Sequence, residues 1–187
     1  MVHVLILRGP EGTRRAYAAH RQARAEAGLP KVTTDNFAYA AFVYVGDTDE
    51  EGLRVGSKLL WFLHTSLKSA PQYSRFLPGT VPPHLAPQVY RTAPPSGTAT
   101  LSANQNAARL TSVTAAQAQA QGILFAGNPD TVYRQIMEFY DKVGGFGHLS
   151  LVGRSGVMTH AESEKGIRLF AREVLPRLRE IKPVTVD

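Results

Sequence analysis

Asn36-Phe37-Ala38-Tyr39-Ala40-Ala41-Phe42-Val43-Tyr44-Val45-Gly46-Asp47-Thr48-Asp49-Glu50-Glu51 is the stretch that decides the fold class. From Phe37 to Val45 every residue is aromatic, valine or alanine, with no polar alternation. A strand of that composition is buried on both faces, as strands of parallel sheets are. Gly46 and Asp47 end it. Thr48 and Glu51 then stand at capping-box spacing, so a helix begins at once. Its apolar positions Leu53, Leu59, Leu60 and Leu63, with Trp61 and Phe62, predict a core-facing side.

The same order, strand then helix, recurs downstream. Gly122 to Gly127 is a short apolar run, and Asn128-Pro129-Asp130 follows it. Asn caps helices well, Pro is tolerated at the first helical position, and Asp complements the positive end of the helix dipole. Val132, Ile136, Met137, Tyr140 and Val143 then share one side, and Gly144-Gly145 stops the helix. Phe146 to Val152 reads as a further strand, followed by Gly153-Arg154-Ser155-Gly156 and a last helix. That helix carries Ile167, Phe170, Val174, Leu178 and Ile181 at spacings of three and four. Pro176 inside it predicts a kink or an early end. Near the front, Val2 to Leu7 reads as a strand, and Arg14 to Ala27 as a helix stopped by Gly28 and Pro30. Alternating strands and helices with doubly apolar strands specify a parallel sheet covered by helices, either a barrel or a doubly wound sheet. The chain then holds three to four β/α units in one domain, 1–187.

One stretch breaks the alternation. From Ser66 to Gln121 the chain is rich in Pro, Ser, Thr, Ala and Gln, and only 115–121 reads as a helical turn or two. A loop of this length is expected to be a lid, a binding loop or a linker. Within it Tyr73, Arg75, Tyr90 and Arg91 have the character of a lid over an anionic substrate, or of an ordinary exposed loop.

Bulk properties narrow the function classes. With no cysteine among 187 residues, disulfides, thiolate metal sites and a Cys nucleophile are excluded. No apolar run approaches the ~20 residues of a membrane span, and a cytoplasmic location is the default expectation. The net charge of +6 invites a nucleic-acid reading. Yet Arg14, Arg15, Arg21 and Arg24 spread along one helix, and Lys165, Arg168, Arg172, Arg177 and Arg179 along another, interrupted by acids and apolar residues. Solvated helix faces account for them, so neither a nucleic acid nor a membrane is expected as a partner. No two histidines stand at i, i+4, which gives no metal motif.

Several stretches, in order, resemble the bacterial-luciferase-like monooxygenases, the flavin- and deazaflavin-dependent TIM barrels. They are Tyr17 to Gly28, Tyr44 to Glu51, Gly127-Asn128-Pro129-Asp130-Thr131-Val132, Ser163 to Phe170, and Ala171-Arg172-Glu173-Val174-Leu175-Pro176. The resemblance covers nearly the whole chain except the proline-rich stretch, where family members also carry a variable insertion. It implies the C-terminal portion of a (β/α)8 barrel, whose complete form needs ~250 residues. It further implies FMN or deazaflavin as cofactor, a separate flavin reductase, and oxidation of a small organic substrate by reduced flavin and dioxygen. The upstream strands that supply much of the flavin contact have no counterpart in this alignment. The resemblance therefore implies either a complementary N-terminal half-barrel chain or self-association into a homo-oligomer. A non-catalytic, self-associating module derived from the same family is the rival reading.

On the barrel reading, function collects at the C-terminal ends of strands. Arg154 and Ser155 sit there, and Arg154 has the fork to hold a flavin or substrate anion, or is a solvated loop residue. Asp47 and Thr48 lie at another strand end, where capping explains them. Asn128 opens a helix N-terminus that attracts anions, although capping needs no ligand. His160 is a proton donor or a surface residue. His148 falls on the opposite, stabilising face. Trp61, Phe62 and His64 are assigned to core packing.

Overall fold

The computed structural model describes residues 3–5, 9–66 and 110–186. The chain divides into two compact units, Met1–Trp61 with Thr114–Asp187, and Phe62–Val113. The first carries the sheet. Its elements are β1 (His3–Leu5), α1 (Gly9–Glu26), β2 (Val32–Thr33), β3 (Phe37–Val45), α2 (Asp49–Gly56) and a 3-10 turn at Ser57–Leu60. α3 (Trp61–Ser66) follows. Beyond the undescribed stretch come α4 (Ala115–Ala120), β4 (Leu124–Gly127), α5 (Pro129–Val143), β5 (His148–Val152), α6 (His160–Leu169), α7 (Leu175–Arg179) and β6 (Thr185–Val186). In the second unit, the imidazole Nε2 of His64 lies 2.9 Å from the Val113 carbonyl oxygen.

The main sheet is parallel throughout. Phe42 to Val45 of β3 pair with Leu124 to Gly127, and Ala38 to Phe42 pair with His148 to Val152. Ala38 and Tyr39 have partners in both β1 and β5, and Phe42 has partners in both β4 and β5. So β5 lies along one edge of β3, and β1 and β4 share the other. Among the described residues the sheet stays open and closes into no barrel. β2 and β6 form a separate antiparallel pair, for which two-residue strands leave no periodic signal.

All nine residues of β3 are buried, as its composition dictates. Its odd positions Phe37, Tyr39, Ala41, Val43 and Val45 join Phe125, four residues of α5 (Val132, Ile136, Phe139, Val143) and Leu169, Phe170 and Val174 in one core. Phe139 is the hub of the aromatic packing there, with its ring centroid 4.3 Å from Tyr39, 5.9 Å from Phe125 and 6.3 Å from Phe146. Its ring also lies against Gly122, whose φ of 69° no other residue adopts cheaply. The Tyr39 hydroxyl donates to the Gly122 carbonyl at 2.9 Å, and the Tyr17 hydroxyl donates to the Ala38 carbonyl at 3.0 Å. These buried hydroxyls are thereby satisfied, as burial demands.

Four expectations need correction. Leu53, Trp61 and Phe62 are exposed, not core, whereas Leu59, Leu60 and Leu63 are buried, and a 3-10 turn at Ser57–Leu60 interrupts the α-helical spacing on which the expectation rested. Strand β5 is not buried on both faces: His148, Ser150 and Leu151 are exposed, since only β3 flanks it among the described residues. Ile167 is exposed too, while Phe170 and Val174 of the same helical pattern are buried. Pro176 produces no early end. Its ring crowds the carbonyl four residues back and it has no N–H to donate, and the chain accommodates this with a π-helical turn at Phe170–Val174 before continuing as α7.

The packing around Phe139 makes it the most sensitive position of α5. Phe139→Ala is expected to lower the unfolding free energy by ~3–5 kcal/mol in urea titrations, whereas Glu138→Ala on the exposed side shifts it by less than ~0.5 kcal/mol.

Candidate functional site at the C-terminal strand ends

Because β3, β4 and β5 run parallel, the loops after Val45, Gly127 and Val152 gather at one rim. The first two are fastened together. The Gly46 N–H donates to the Gly127 carbonyl at 2.9 Å, and Gly52 presses so close to Gly127 that a β-carbon there would collide with backbone. The Asp49 carboxylate accepts from the Asn128 N–H at 2.8 Å and from the Thr131 hydroxyl at 3.2 Å. An acid of the chain itself therefore occupies the positive end of α5, the place that attracts anions. Asn128 does cap that helix, its side chain accepting from the Thr131 N–H.

Thr48 caps α2, with its hydroxyl accepting from the Glu51 N–H at 3.2 Å, while the Glu51 carboxylate reaches one residue further than a capping box and accepts from the Asp47 N–H. Glu51 and Asp47 also share Lys165 of α6, at 2.6 Å and 2.7 Å. A second ion pair joins Lys58, after α2, to Glu162, which closes the capping box of α6 with Thr159. Two lysine–carboxylate contacts thus tie the helix after β5 to the loop and helix after β3.

Tyr44 lies between these contacts, 1% exposed, with Gly56 and Gly166 pressed on its side chain. A β-carbon on Gly166 would lie 2.7 Å from the tyrosine ring. Burial raises the Tyr44 hydroxyl above its ordinary value, and Glu51 and Glu162 push the same way while Lys165 and Arg54 oppose. Bonding to Lys165 holds the Glu51 carboxyl below its usual range, and bonding to Lys58 does the same for Glu162. Lys165 is raised by bonds to Asp47 and Glu51.

The third loop carries Arg154 and Ser155. The Ser155 hydroxyl donates to the Lys58 carbonyl at 2.8 Å, and Gly156 rests against the Trp61 ring. Arg154 is exposed. A cavity of about 530 Å3 lies elsewhere, beside β5, walled by Leu149, Leu151, Ile167 and Phe170 and flanked by Asp35 and Arg179. Among the described residues no group of three His, Asp or Glu side chains is placed to hold a metal, and no helix is long and apolar enough to cross a membrane.

No family profile and no curated protein matches the sequence. Solved structures do. The monooxygenase RslO1 from Streptomyces bottropensis superposes at a TM-score of 0.55 with 21% identity, over 94% of this chain and 41% of that one. The oxygenating constituent of 3,6-diketocamphane monooxygenase from Pseudomonas putida, a type II Baeyer-Villiger monooxygenase solved with FMN, gives 0.58 and 20% over 94% and 42%. The coenzyme F420 dependent tetrahydromethanopterin reductase from Methanopyrus kandleri gives 0.52 and 16% over 95% and 45%. The fold is the luciferase-like one. The chain spans about two fifths of the length of these luciferase-like structures.

Of the residues singled out from sequence, the structure brings Asp47, Thr48, Asn128, Arg154 and Ser155 to strand ends, and Arg75, Tyr90 and Arg91, with Tyr73, lie outside the described residues. His160 is an exposed residue 3.9 Å from Glu164, and His148 sits at the opposite end of β5, its Nε2 3.1 Å from the Asp35 carbonyl oxygen. Sequence reasoning missed Tyr44, Lys58, Glu162 and Lys165 as one cluster. The Thr159-to-Glu162 spacing was a legible signal for a helix start, but the Lys58 partner is 104 residues away.

Both glutamates are depressed in the folded chain, so the stability they add is fully present above the ordinary glutamate value of 4.5 and is lost as pH falls toward their folded values. Lys165→Met is expected to flatten the acid limb of a plot of unfolding free energy against pH. An unchanged slope would show that Lys165 does not hold Glu51. Gly166→Ala, by driving a methyl group into the Tyr44 ring, is expected to cost about 1–3 kcal/mol in the same measurement.

Proposed function

We propose that this chain forms the C-terminal part of a luciferase-like flavin-dependent monooxygenase site, and that one copy alone supplies an incomplete one. The observation that carries the reading is the luciferase-like fold over 94% of the chain, shared with an oxygenase component solved with FMN. In such a reaction, reduced flavin supplies two electrons, one atom of dioxygen enters a small organic substrate and the other leaves as water. FMN is the first choice of cofactor; a reduced deazaflavin, acting as a hydride carrier in place of the oxygen chemistry, is the second, since one structural neighbour is F420 dependent. A separate reductase supplies the reduced form.

The residues of this chain suit one part of the task. The exposed Arg154 guanidinium after β5 is free to meet an anionic group of flavin or substrate, and Ser155 anchors that loop on Lys58. The α5 N-terminus is not available for a phosphate, because Asp49 fills it. The rest of the ring contact, and the exclusion of water that the chemistry needs, must come from strands beyond the four of the main sheet. A complementary half-barrel chain or a second copy would supply them, and a cytoplasmic location suits a reductase-fed reaction. The second reading, a non-catalytic self-associating module, is favoured by one observation, that β5 pairs only with β3 among the described residues.

Titration of purified protein with FMN and with reduced FMN, followed by flavin fluorescence, separates the two readings. Saturable micromolar binding is expected, weakened roughly tenfold by Arg154→Ala, a loss of about 1.4 kcal/mol. Absence of saturable binding to either form would overturn the flavin reading and leave the module.

A further inference from the structure

The loop after β5, Gly153 to Thr159, carries one charged side chain, that of Arg154. The turn and helix start that follow α2 grip this loop at three points. Near its beginning the Ser155 hydroxyl donates to the Lys58 carbonyl at 2.8 Å. At its middle Gly156 lies on Trp61. A β-carbon there would stand 2.9, 3.0 and 3.3 Å from three neighbouring ring atoms, Cη2, Cζ3 and Cζ2. Distances so alike place the glycine over the face of the ring, since an approach to its edge would bring one atom close and leave the others behind. The loop also turns back on itself, with the Met158 N–H donating to the Ser155 carbonyl at 3.3 Å and Met158 buried. At its end Thr159 and Glu162 form the capping box of α6, and the Lys58 ammonium holds the Glu162 carboxylate.

Lys58 therefore enters twice, through its carbonyl at Ser155 and through its ammonium at Glu162. The ion pair is partly sheltered, its two side chains 34% and 22% exposed, so salt screens it less than a fully exposed pair. With a carboxylate already on its ammonium, Lys58 is not the cation this rim offers to a ligand. The exposed guanidinium of Arg154 is. An arginine on a loose loop gives up that looseness when it binds an anion, and a loop fixed beforehand spares the loss.

We infer that Lys58 is a positioning residue: it holds the loop between β5 and α6 at both ends, so that Arg154 stands ready for its anion, and it touches no part of that anion itself. The choice of FMN as the anion rests on the flavin reading, whereas the grip on the loop does not.

The two ends can be released one at a time. Ser155→Ala frees the first. Glu162→Gln frees the second and keeps the helix cap, because Gln serves in a capping box as Glu does. Lys58→Met removes the ammonium. Each is expected to weaken FMN about threefold by flavin fluorescence, and Ser155→Ala with Glu162→Gln to approach the roughly tenfold loss of Arg154→Ala. Lys58→Arg, which keeps the charge, is expected to bind FMN as the unaltered chain does. On an Arg154→Ala background none of these changes is expected to weaken FMN further. Trp61 is the only tryptophan, so its emission follows the loop without flavin. Releasing both ends is expected to open Trp61 to quenching by acrylamide. Circular dichroism checks that each variant is folded, and if Lys58→Met is not, the Ser155 and Glu162 variants decide. Full FMN affinity with both ends released would overturn the positioning role and leave the flavin reading standing. So would a Lys58→Met loss that persists undiminished beside Arg154→Ala, because Lys58 would then meet the ligand itself. No FMN binding by the unaltered chain would overturn both.

Discussion

Everything in the main unit leans on one strand, β3, which is buried along its whole length and hydrogen-bonded on both sides. A backbone so enclosed has no access to water, so its N–H and C=O groups must be met by neighbouring strands. The chain meets them with parallel partners, β4 and β1 on one side and β5 on the other. Parallel pairing in turn forces each connection to travel back across the sheet, and α5 is the connection that carries the core with it. The position of the rim follows from the same constraint, because strands that point the same way deliver their following loops to the same end.

How much of this was legible follows from which forces act locally. The run from Phe37 to Val45 announces its burial through composition alone, and the caps at Thr48, Asn128 and Gly144 announce helix ends through short-range hydrogen bonding. Strand direction was legible as well, since apolar runs alternating with helices admit few arrangements. Other features depend on partners far along the chain. Trp61 and Phe62 look like core residues, yet both are exposed beyond a 3-10 turn at Ser57–Leu60 that breaks the α-helical spacing. The apolar composition of β5 reads as doubly buried, yet exposure depends on what stands beside it, which no local pattern states. Phe139 was overlooked in favour of Met137 and Tyr140 because a helical face about 100° wide admits several neighbouring choices, and contact with Tyr39 selects among them.

The candidate site was legible in outline and not in composition. Strand ends are where parallel α/β folds place function, and Arg154, Ser155 and Asp47 do stand at strand ends. The charged cluster around Tyr44 joins residues of the loop before α2, of α2, of the 3-10 turn after it and of α6, and each carboxylate alone has a sufficient local role. Glu51 and Glu162 are cap residues that acquire a second bond, to a lysine brought in by the fold. Such double duty leaves no mark on spacing.

The carboxylate of Asp49 at the head of α5 has a consequence for selectivity. A helix end that is already neutralised from within offers nothing to a phosphate, and Lys58 and Lys165 are themselves held by carboxylates, so the exposed guanidinium of Arg154, not a fixed backbone dipole, is the positive charge this rim presents to solution. Charges on long side chains follow the molecule they meet and tolerate differences in its shape. Under the flavin reading proposed above, recognition at this rim would be broad, and any narrowing of choice would be imposed by walls that other strands provide.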